Sequence, residues 1–598
     1  MEILQSVMSS KKLTTLIIVF FIAFPIALTA NLMFRNSRFS IFEVFSENKV
    51  AMKNASLAND PTSTSVFSEN KVAMKNASLT NDPTSTSNAS LTNDPTSTSN
   101  ASLTNDPTST STSCISRLQS HLYRKPSPHK PSPYLIYKLR NYEELHTRCG
   151  PNTRAYRRSM MNIVNSNNSS GNAAMCKYLV CVPVNGLGNQ MISIAATFLY
   201  AVLTDRVLLV RFGEDKYHLF CEPFLNSTWI LPKNFPFWNY KLVQTYQTII
   251  LNKDRGINSK QDLPSTLFLN LQHTKNHPDK FFHCHHSQHL LSNVPLLILK
   301  SDQYFVPALF MNPSFNSEIT KMFRERDTVF YHLGRYLFHP SNEVWGLIRK
   351  FYEEHLSKAD ERIGLQIRVF APDSTPQEAV MDLILSCTIK NKLLPELDTQ
   401  NSMPYTTKNQ SLKVVLVTSL NEEYGENLRK MYENKATVSG EVVRVYQASH
   451  EEHQKHHDKM HNMKAWMEMY LLSLCDVLVT TSASTFGYVA QSLGGLRPWL
   501  LYKLTNNATH FPACQRDFSL EPCYHIPPNH YCNGNIIKDY VSTFLYLRGC
   551  NDFSNGVKLV KQTLENHHGI DMGHASTKFQ SGKRNKQHDR HIEENVHD

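Results

Sequence analysis

An arginine is seldom left inside an apolar run, yet the stretch Ile363-Gly-Leu-Gln-Ile-Arg-Val-Phe370 contains one. Ile363, Leu365, Ile367 and Val369 alternate and Phe370 closes the run, which is the pattern of a buried strand. Arg368 near its end needs an anionic partner, because a guanidinium is rarely buried alone. Two partners suit it equally: a carboxylate of the chain itself, or the phosphate of a ligand. A second stretch, Thr480-Thr-Ser-Ala-Ser-Thr-Phe-Gly-Tyr488, follows the strand-like run Asp476–Val479 and crowds Ser and Thr hydroxyls where a helix begins. One hydroxyl is enough to cap a helix, so the excess points to phosphate or ribose oxygens. A third, Asn185-Gly-Leu-Gly-Asn-Gln190, puts Gly186, Gly188, Asn189 and Gln190 ahead of a helix. Its glycines allow close backbone approach, and the helix N-terminus favours an anion or a hydroxyl-rich ligand. It lacks the third glycine of the dinucleotide fingerprint, and a plain tight turn accounts for it equally well. A fourth, Leu299-Lys-Ser-Asp-Gln-Tyr-Phe305, sets Asp302 after the apolar run Val294–Leu299. A carboxylate there is a general base, or a cleft organiser paired with Arg368.

Two histidine clusters, His283/His285/His286/His289 beside Cys284 and His450/His453/His456/His457/His461, invite a metal reading. Neither contains HExxH, and polar faces and loops explain both, so no metal site is expected.

These residues need elements to hold them. Tyr178–Val182 reads as a strand, followed by the glycine turn and by Met191, Ile194, Ala195, Phe198, Leu199, Val202 and Leu203 at helical spacing, then a strand at Val207–Val210. The rhythm returns with strands at Val414–Val417, Val442–Val445, Val477–Thr480 and Trp499–Tyr502, and helices near Glu422–Asn434, Met463–Leu474 and Phe486–Leu493. The expected fold class is α/β, with two doubly wound Rossmann-like domains facing each other across a cleft.

The ends are different. Residues 1–12 read as a short cytoplasmic tail, and 13–34 run without a charge, long enough for a signal-anchor helix. Leu28-Thr29-Ala30 offers a cleaved signal as the alternative. Residues 35–113 carry near-perfect repeats rich in Asn, Ser, Thr and Pro, a stem with no apolar face to stack. An N-terminal domain is expected over 114–355 and a C-terminal one over 356–564, with a polar tail at 565–598. Sequons stand at Asn54, Asn76, Asn88, Asn100, Asn167, Asn168, Asn226, Asn409 and Asn507, and the 12 cysteines fit an oxidising lumen. Of these, Cys514, Cys523, Cys532 and Cys550 taken alone allow three pairings. The net charge of +11 is spread out, with no dense basic block, which speaks against nucleic acid.

Taken together, GLGNQ with AATFLYAVLTDRVLLVRF behind it, SDQYFVP at Ser301–Pro307, HLGRYLFHPSNEVW at His332–Trp345, IGLQIRVF at Ile363–Phe370, the block Met460–Tyr502 and the cysteine-rich Phe511–Cys532 resemble the plant xyloglucan-type galactoside alpha-(1,2)-fucosyltransferase family, glycosyltransferase family 37. The resemblance implies a GT-B-like fold in a single-pass type II Golgi membrane protein with a luminal catalytic body. It implies inverting, metal-independent transfer of L-fucose from GDP-fucose to O-2 of a galactose on a cell-wall glycan such as xyloglucan, with no cofactor. It places the family's nucleotide-binding arginine on Arg368 and its second nucleotide block on Ser482, Ser484, Thr485, Phe486, Gly487 and Tyr488. His332 and Arg335 fall in another block expected at the cleft. A homodimer stays open. So do an arabinogalactan or protein-glycan acceptor, and a non-catalytic luminal glycan-binding protein on the same fold.

Overall fold

A computed structural model describes residues 113–165, 176–254, 263–272, 278–370, 372, 375–398, 410–455, 457–502 and 512–561. The expected cytoplasmic tail, anchor, repetitive stem and C-terminal tail lie outside them, as do Asn54, Asn76, Asn88, Asn100, Asn167, Asn168, Asn409 and Asn507. Asn226 is described, and it is exposed on a turn at φ 55°, a left-handed conformation that asparagine tolerates. No described helix is long and apolar enough to cross a membrane.

Four strands, β1 (Lys177–Pro183), β2 (Arg206–Val210), β3 (Thr266–Asn270) and β4 (Leu296–Ser301), form an all-parallel sheet in the order β2-β1-β4-β3. Their runs are apolar on both faces, as a parallel sheet covered on both sides demands. Helix α1 (Leu187–Leu203) follows β1 and is buried along almost its whole length. Helix α2 (Val329–Leu337) lies between the sheets in sequence. The second sheet consists of β5 (Glu361–Gln366), β6 (Leu412–Thr418), β7 (Val442–Gln447), β8 (Val477–Thr481), β9 (Trp499–Leu501) and β10 (Cys514–Arg516), ordered β10-β9-β8-β5-β6-β7. Only β10 runs antiparallel. Helices α3 (Glu423–Glu433), α4 (Lys459–Leu472) and α5 (Thr485–Gly494) fill the connections.

The strands and helices read from periodicity are present within a few residues of their expected ends. The exception is informative. The run Ile363–Phe370 stops being a strand at Gln366, so Arg368 stands in the loop beyond the sheet and Phe370 is 52% exposed. Sheet pairing ends there because the backbone N–H of Arg368 turns to the side-chain hydroxyl of Thr481 at the end of β8 (2.9 Å) instead of to a backbone carbonyl.

The two sheets share one hydrophobic core. The ring of Trp466 on α4 lies 5.4 Å from that of Phe220, and both belong to the cluster that holds α1 and α2. After β10 the chain crosses back to the first sheet's side. Glu521 is bonded by the Tyr304 hydroxyl, and the Tyr546 hydroxyl donates to Phe310 O (2.8 Å). The hairpin of β11 (Leu547–Gly549) and β12 (Val557–Leu559) joins the first sheet's core. The disulfides follow the same path: Cys523–Cys550 is internal to the crossover, while Cys532 pairs with Cys284 and Cys514 with Cys387. None of the three closed pairings among the last four cysteines is therefore the real one. Cys114–Cys221 and Cys149–Cys176 complete the five bonds, with Cys181 and Cys475 free and buried.

The core also contains ionisable groups whose cost depends on pH. Burial pushes the carboxyls of Glu468 and Glu521 up to about 8. Burial pulls the imidazoles of His146, His332 and His339 down to about 4. The carboxyls favour the folded state fully below their ordinary value of 4.5, and that contribution is lost as pH rises to 8. The imidazoles contribute fully above 6.5 and lose it as pH falls to 4. Each group is worth up to about 1.4 kcal/mol per pH unit. Thermal melting across this range is expected to show greatest stability near pH 6.5 and a decline toward pH 8. A melting temperature that keeps rising to pH 8 would show that these two carboxyls ionise in the fold without penalty.

Candidate active site

Each sheet has a point where strand order reverses, and in open α/β sheets ligands settle at the carboxyl ends of the strands there. In the second sheet that point lies between β5 and β8; in the first it lies between β1 and β4. The four stretches singled out by sequence follow these four strands: Arg368 after β5, the hydroxyl loop after β8, the glycine turn after β1 and Asp302 after β4. Arg368 and the two loops line a single cavity of about 1010 Å3.

Arg368 reaches into the cavity wall with one Nη donating to Gln454 Oε1 (3.2 Å). Burial lowers its pKa, and among the described residues no carboxylate counters that effect. The intramolecular ion pair with Asp302 is absent: Asp302 accepts from Asn185 Nδ2 (2.7 Å) and from Gln303 Nε2 (2.9 Å). Asp302 is buried one layer behind the wall, and it reaches the cavity through Asn185. Asn185 itself takes the left-handed φ of 66°, which turns the chain from β1 into α1.

The hydroxyl loop divides in two. Ser484, Thr485 and Phe486 line the cavity. Ser484 occupies the N-cap position of α5, but its hydroxyl does not cap the helix, so an ordinary cap is not its role. Ser482, Gly487 and Tyr488 lie behind the wall. The Ser482 hydroxyl donates to Leu501 O (2.5 Å), and a Cβ on Gly487 would stand 2.9 Å from Thr480 Cβ. Tyr488 donates to Asp552 Oδ2 (2.6 Å), which also accepts from Ala483 N (2.9 Å) and so holds Ala483 at a φ of 58°. Beneath it runs the fully buried Lys558–Asp517 ion pair. Three of the six expected contact residues are thus supports of the loop, anchored by the returning C-terminal segment.

The glycine turn meets this loop from the other side. Thr485 Oγ1 donates to Asn189 Oδ1, and a Cβ on Gly188 would lie 2.8 Å from the Thr485 carbonyl carbon. The N-terminal ends of α1 and α5 are therefore in contact, and neither has a side-chain cap. Two helix N-termini and a guanidinium that has no carboxylate partner among the described residues converge on one cavity, an arrangement built for an anion.

The chain matches the family model described as xyloglucan fucosyltransferase over residues 76–533. It is 49% identical over 454 residues to the galactoside 2-alpha-L-fucosyltransferase of Arabidopsis thaliana, covering 75% of this chain and 80% of that protein. This chain belongs to the xyloglucan fucosyltransferase family. The galactoside 2-alpha-L-fucosyltransferase of Pisum sativum is 45% identical over 454 residues, 75% of this chain and 80% of that one. A solved structure of an Arabidopsis thaliana FUT1 mutant in complex with GDP superposes with a TM-score of 0.69 at 48% identity, covering 76% of this chain and 98% of that one.

This xyloglucan fucosyltransferase family member has further cavity residues that sequence reasoning missed. Glu468 of α4 lines the cavity, accepting a bond from Ser449 Oγ at 2.6 Å. A lone carboxylate in the apolar run from Ala465 to Leu472 was a readable signal. His525 and Phe553 reach the cavity from the crossover, stacked at 4.2 Å, and no local pattern announces them. His332 and Arg335 go elsewhere. Arg335 Nε donates to Leu493 O (2.8 Å) and His332 packs near Phe323, away from the cavity, because α2 turns that face toward the N-terminal arm, residues 113–132. Of the histidines, His283 lies against the sulfurs of Cys284 and Cys532, which the disulfide consumes. His457 and His461 do not share a helix, since α4 starts at Lys459.

Proposed function

We propose that this chain is an inverting alpha-1,2-fucosyltransferase that moves L-fucose from GDP-fucose to O-2 of a galactose on a xyloglucan-type glycan. The observation that carries the reading is Arg368, a guanidinium with no carboxylate partner among the described residues, facing two uncapped helix N-termini across a cavity in a member of this family. As the fucosyl bond breaks, the GDP leaving group gathers negative charge. Arg368 and the helix-end N–H groups of α5 stabilise that charge where it develops. Glu468 offers a buried carboxyl oxygen to the ring N–H of the guanine. Asp302 acts through Asn185 as a positioning residue, shaping the wall on the acceptor side. The uncharged run at 13–34 anchors the protein in the Golgi membrane, with the repeats as a luminal spacer.

The test is incubation of the purified protein with GDP-fucose and a panel of galactosylated wall glycans, reading the linkage formed. Fucose on O-2 of xyloglucan galactose is the expected product. Transfer to arabinogalactan alone would replace the acceptor, and GDP binding without transfer to any glycan would replace the reaction.

Activity is expected to survive chelation. The charge on the pyrophosphate is met by a guanidinium and backbone N–H groups, so dialysis against EDTA should leave the rate unchanged. A loss restored by Mn²⁺ or Mg²⁺ would place a cation in the mechanism.

A further inference from the structure

Away from the active site, a second cavity of about 380 Å3 opens between the N-terminal arm and the ends of α2, α4 and α5. Arg124, Lys125, Arg335, His121 and His339 line it, with no acidic residue in its walls among the described residues. Lys125 is already neutralised by Asp476 at 2.5 Å. The two arginines are not. Arg124 donates from Nη1 to Leu493 O (3.2 Å) and from Nη2 to the Ser473 hydroxyl (3.2 Å), and Arg335 Nε reaches the same Leu493 carbonyl at 2.8 Å. Each also lies over a tyrosine ring: Arg124 4.7 Å from the Tyr470 centroid, Arg335 3.9 Å from that of Tyr331.

Capping of helix C-termini is the plain account of this pair, and it is incomplete. Each of the two helix ends supplies about half a negative charge, roughly one in all, against two guanidinium charges. Burial is the main cause of the shifts at this cavity, and the neighbouring cations add to it. Burial and the adjacent Arg124 push the pKa of Arg335 down to about 9, and burial with Arg117 and Arg124 pushes His339 down to about 4. Two guanidinium charges crowded into a pocket without an acid are relieved by a compact dianion.

We propose that this cavity is a binding site for a phosphate-type dianion, held between Arg124 of the arm and Arg335 of α2. Binding ties the arm to the body, because Arg124 is the arm's contact with the ends of α4 and α5. Sulfate and the phosphate of a larger molecule share this chemistry; a glycan uronate shares the charge but not the second negative unit.

The experiment is calorimetric titration of the full-length protein in detergent with inorganic phosphate and, separately, glucuronate. Saturating GDP occupies any anion site around Arg368, and ionic strength is held constant with chloride. Saturable phosphate binding is expected, weakened at least tenfold in both Arg124→Gln and Arg335→Gln. It should carry a rise in melting temperature that chloride does not reproduce. Arg124→Lys and Arg335→Lys keep the charge in case the glutamine variants fold poorly, and each should bind more weakly than the parent while melting near it. The proposal is overturned by the absence of saturable binding, by phosphate binding that all four variants retain, or by glucuronate binding where phosphate does not. The last outcome would assign the pocket to a planar carboxylate.

Discussion

Arg368→Lys is expected to lose activity nearly as badly as Arg368→Ala, about a hundredfold in kcat/KM. Lysine keeps the charge but gives up the planar, two-pronged donor that matches a pyrophosphate. Loss of a charge-assisted contact to a leaving group costs on the order of 3 kcal/mol of transition-state stabilisation, which sets the hundredfold figure. The fold should be nearly indifferent. Breaking a buried ion pair costs about 3–5 kcal/mol, but that penalty needs a partner, and among the described residues Arg368 has no carboxylate. Its bond to Gln454 and the ring of Phe370, 6.0 Å away, are the contacts a substitution removes. GDP calorimetry and thermal melting on both variants separate the alternatives. A variant that melts far earlier yet binds GDP like the parent would make Arg368 a strut.

The position of that arginine also shows what a sequence can and cannot tell. Alternation in Ile363–Phe370 identified the strand, because packing on a sheet imposes a period of two. The same alternation overran the end, because Val369 and Phe370 stay apolar beyond the sheet: Val369 packs against the second sheet's core from the loop, and Phe370 lines the cavity, half exposed. The topology made the four motifs meaningful together. Each was weak alone, and what unites them is that each follows a strand at a reversal of sheet order, which no local window reveals. Tyr488 shows how far a local window reaches. Three positions into a helix whose start faces the cavity, its side chain turns inward to Asp552, a partner that the loop's own sequence does not announce. The crossover was illegible for a simpler reason. Residues 517–561 contain short strands and turns without a period, held by Cys284–Cys532, Lys558–Asp517 and a long-range packing pattern. His525 and Phe553, carried on that segment, were hidden with it.

Gly188→Ala should be the most damaging single-methyl change at the site. The added Cβ would stand 2.8 Å from the carbonyl carbon of Thr485 and 2.9 Å from the amide nitrogen of Phe486. Both are backbone atoms, so no side chain can rotate away, and ordinary carbon contacts need about 3.5–4.0 Å. The N-termini of α1 and α5 must separate by most of an ångström, and the Thr485–Asn189 contact that joins the two sheets' loops goes with it. Overpacking of this kind costs about 1–3 kcal/mol of stability. Activity should suffer more, because a misplacement of about 1 Å between groups that must act on one substrate costs on the order of a hundredfold. Gly186→Ala is the control. Its Cβ would meet nothing nearer than Gln454 Nε2 at 3.7 Å, and its backbone is in an ordinary conformation, so the fold should accept it. If Gly186→Ala is stable yet loses GDP-fucose turnover, the turn approaches the ligand closely. If Gly188→Ala keeps activity within about threefold of the parent, the abutment of the two helix ends is a packing detail, and the acceptor side of the cavity does not depend on it.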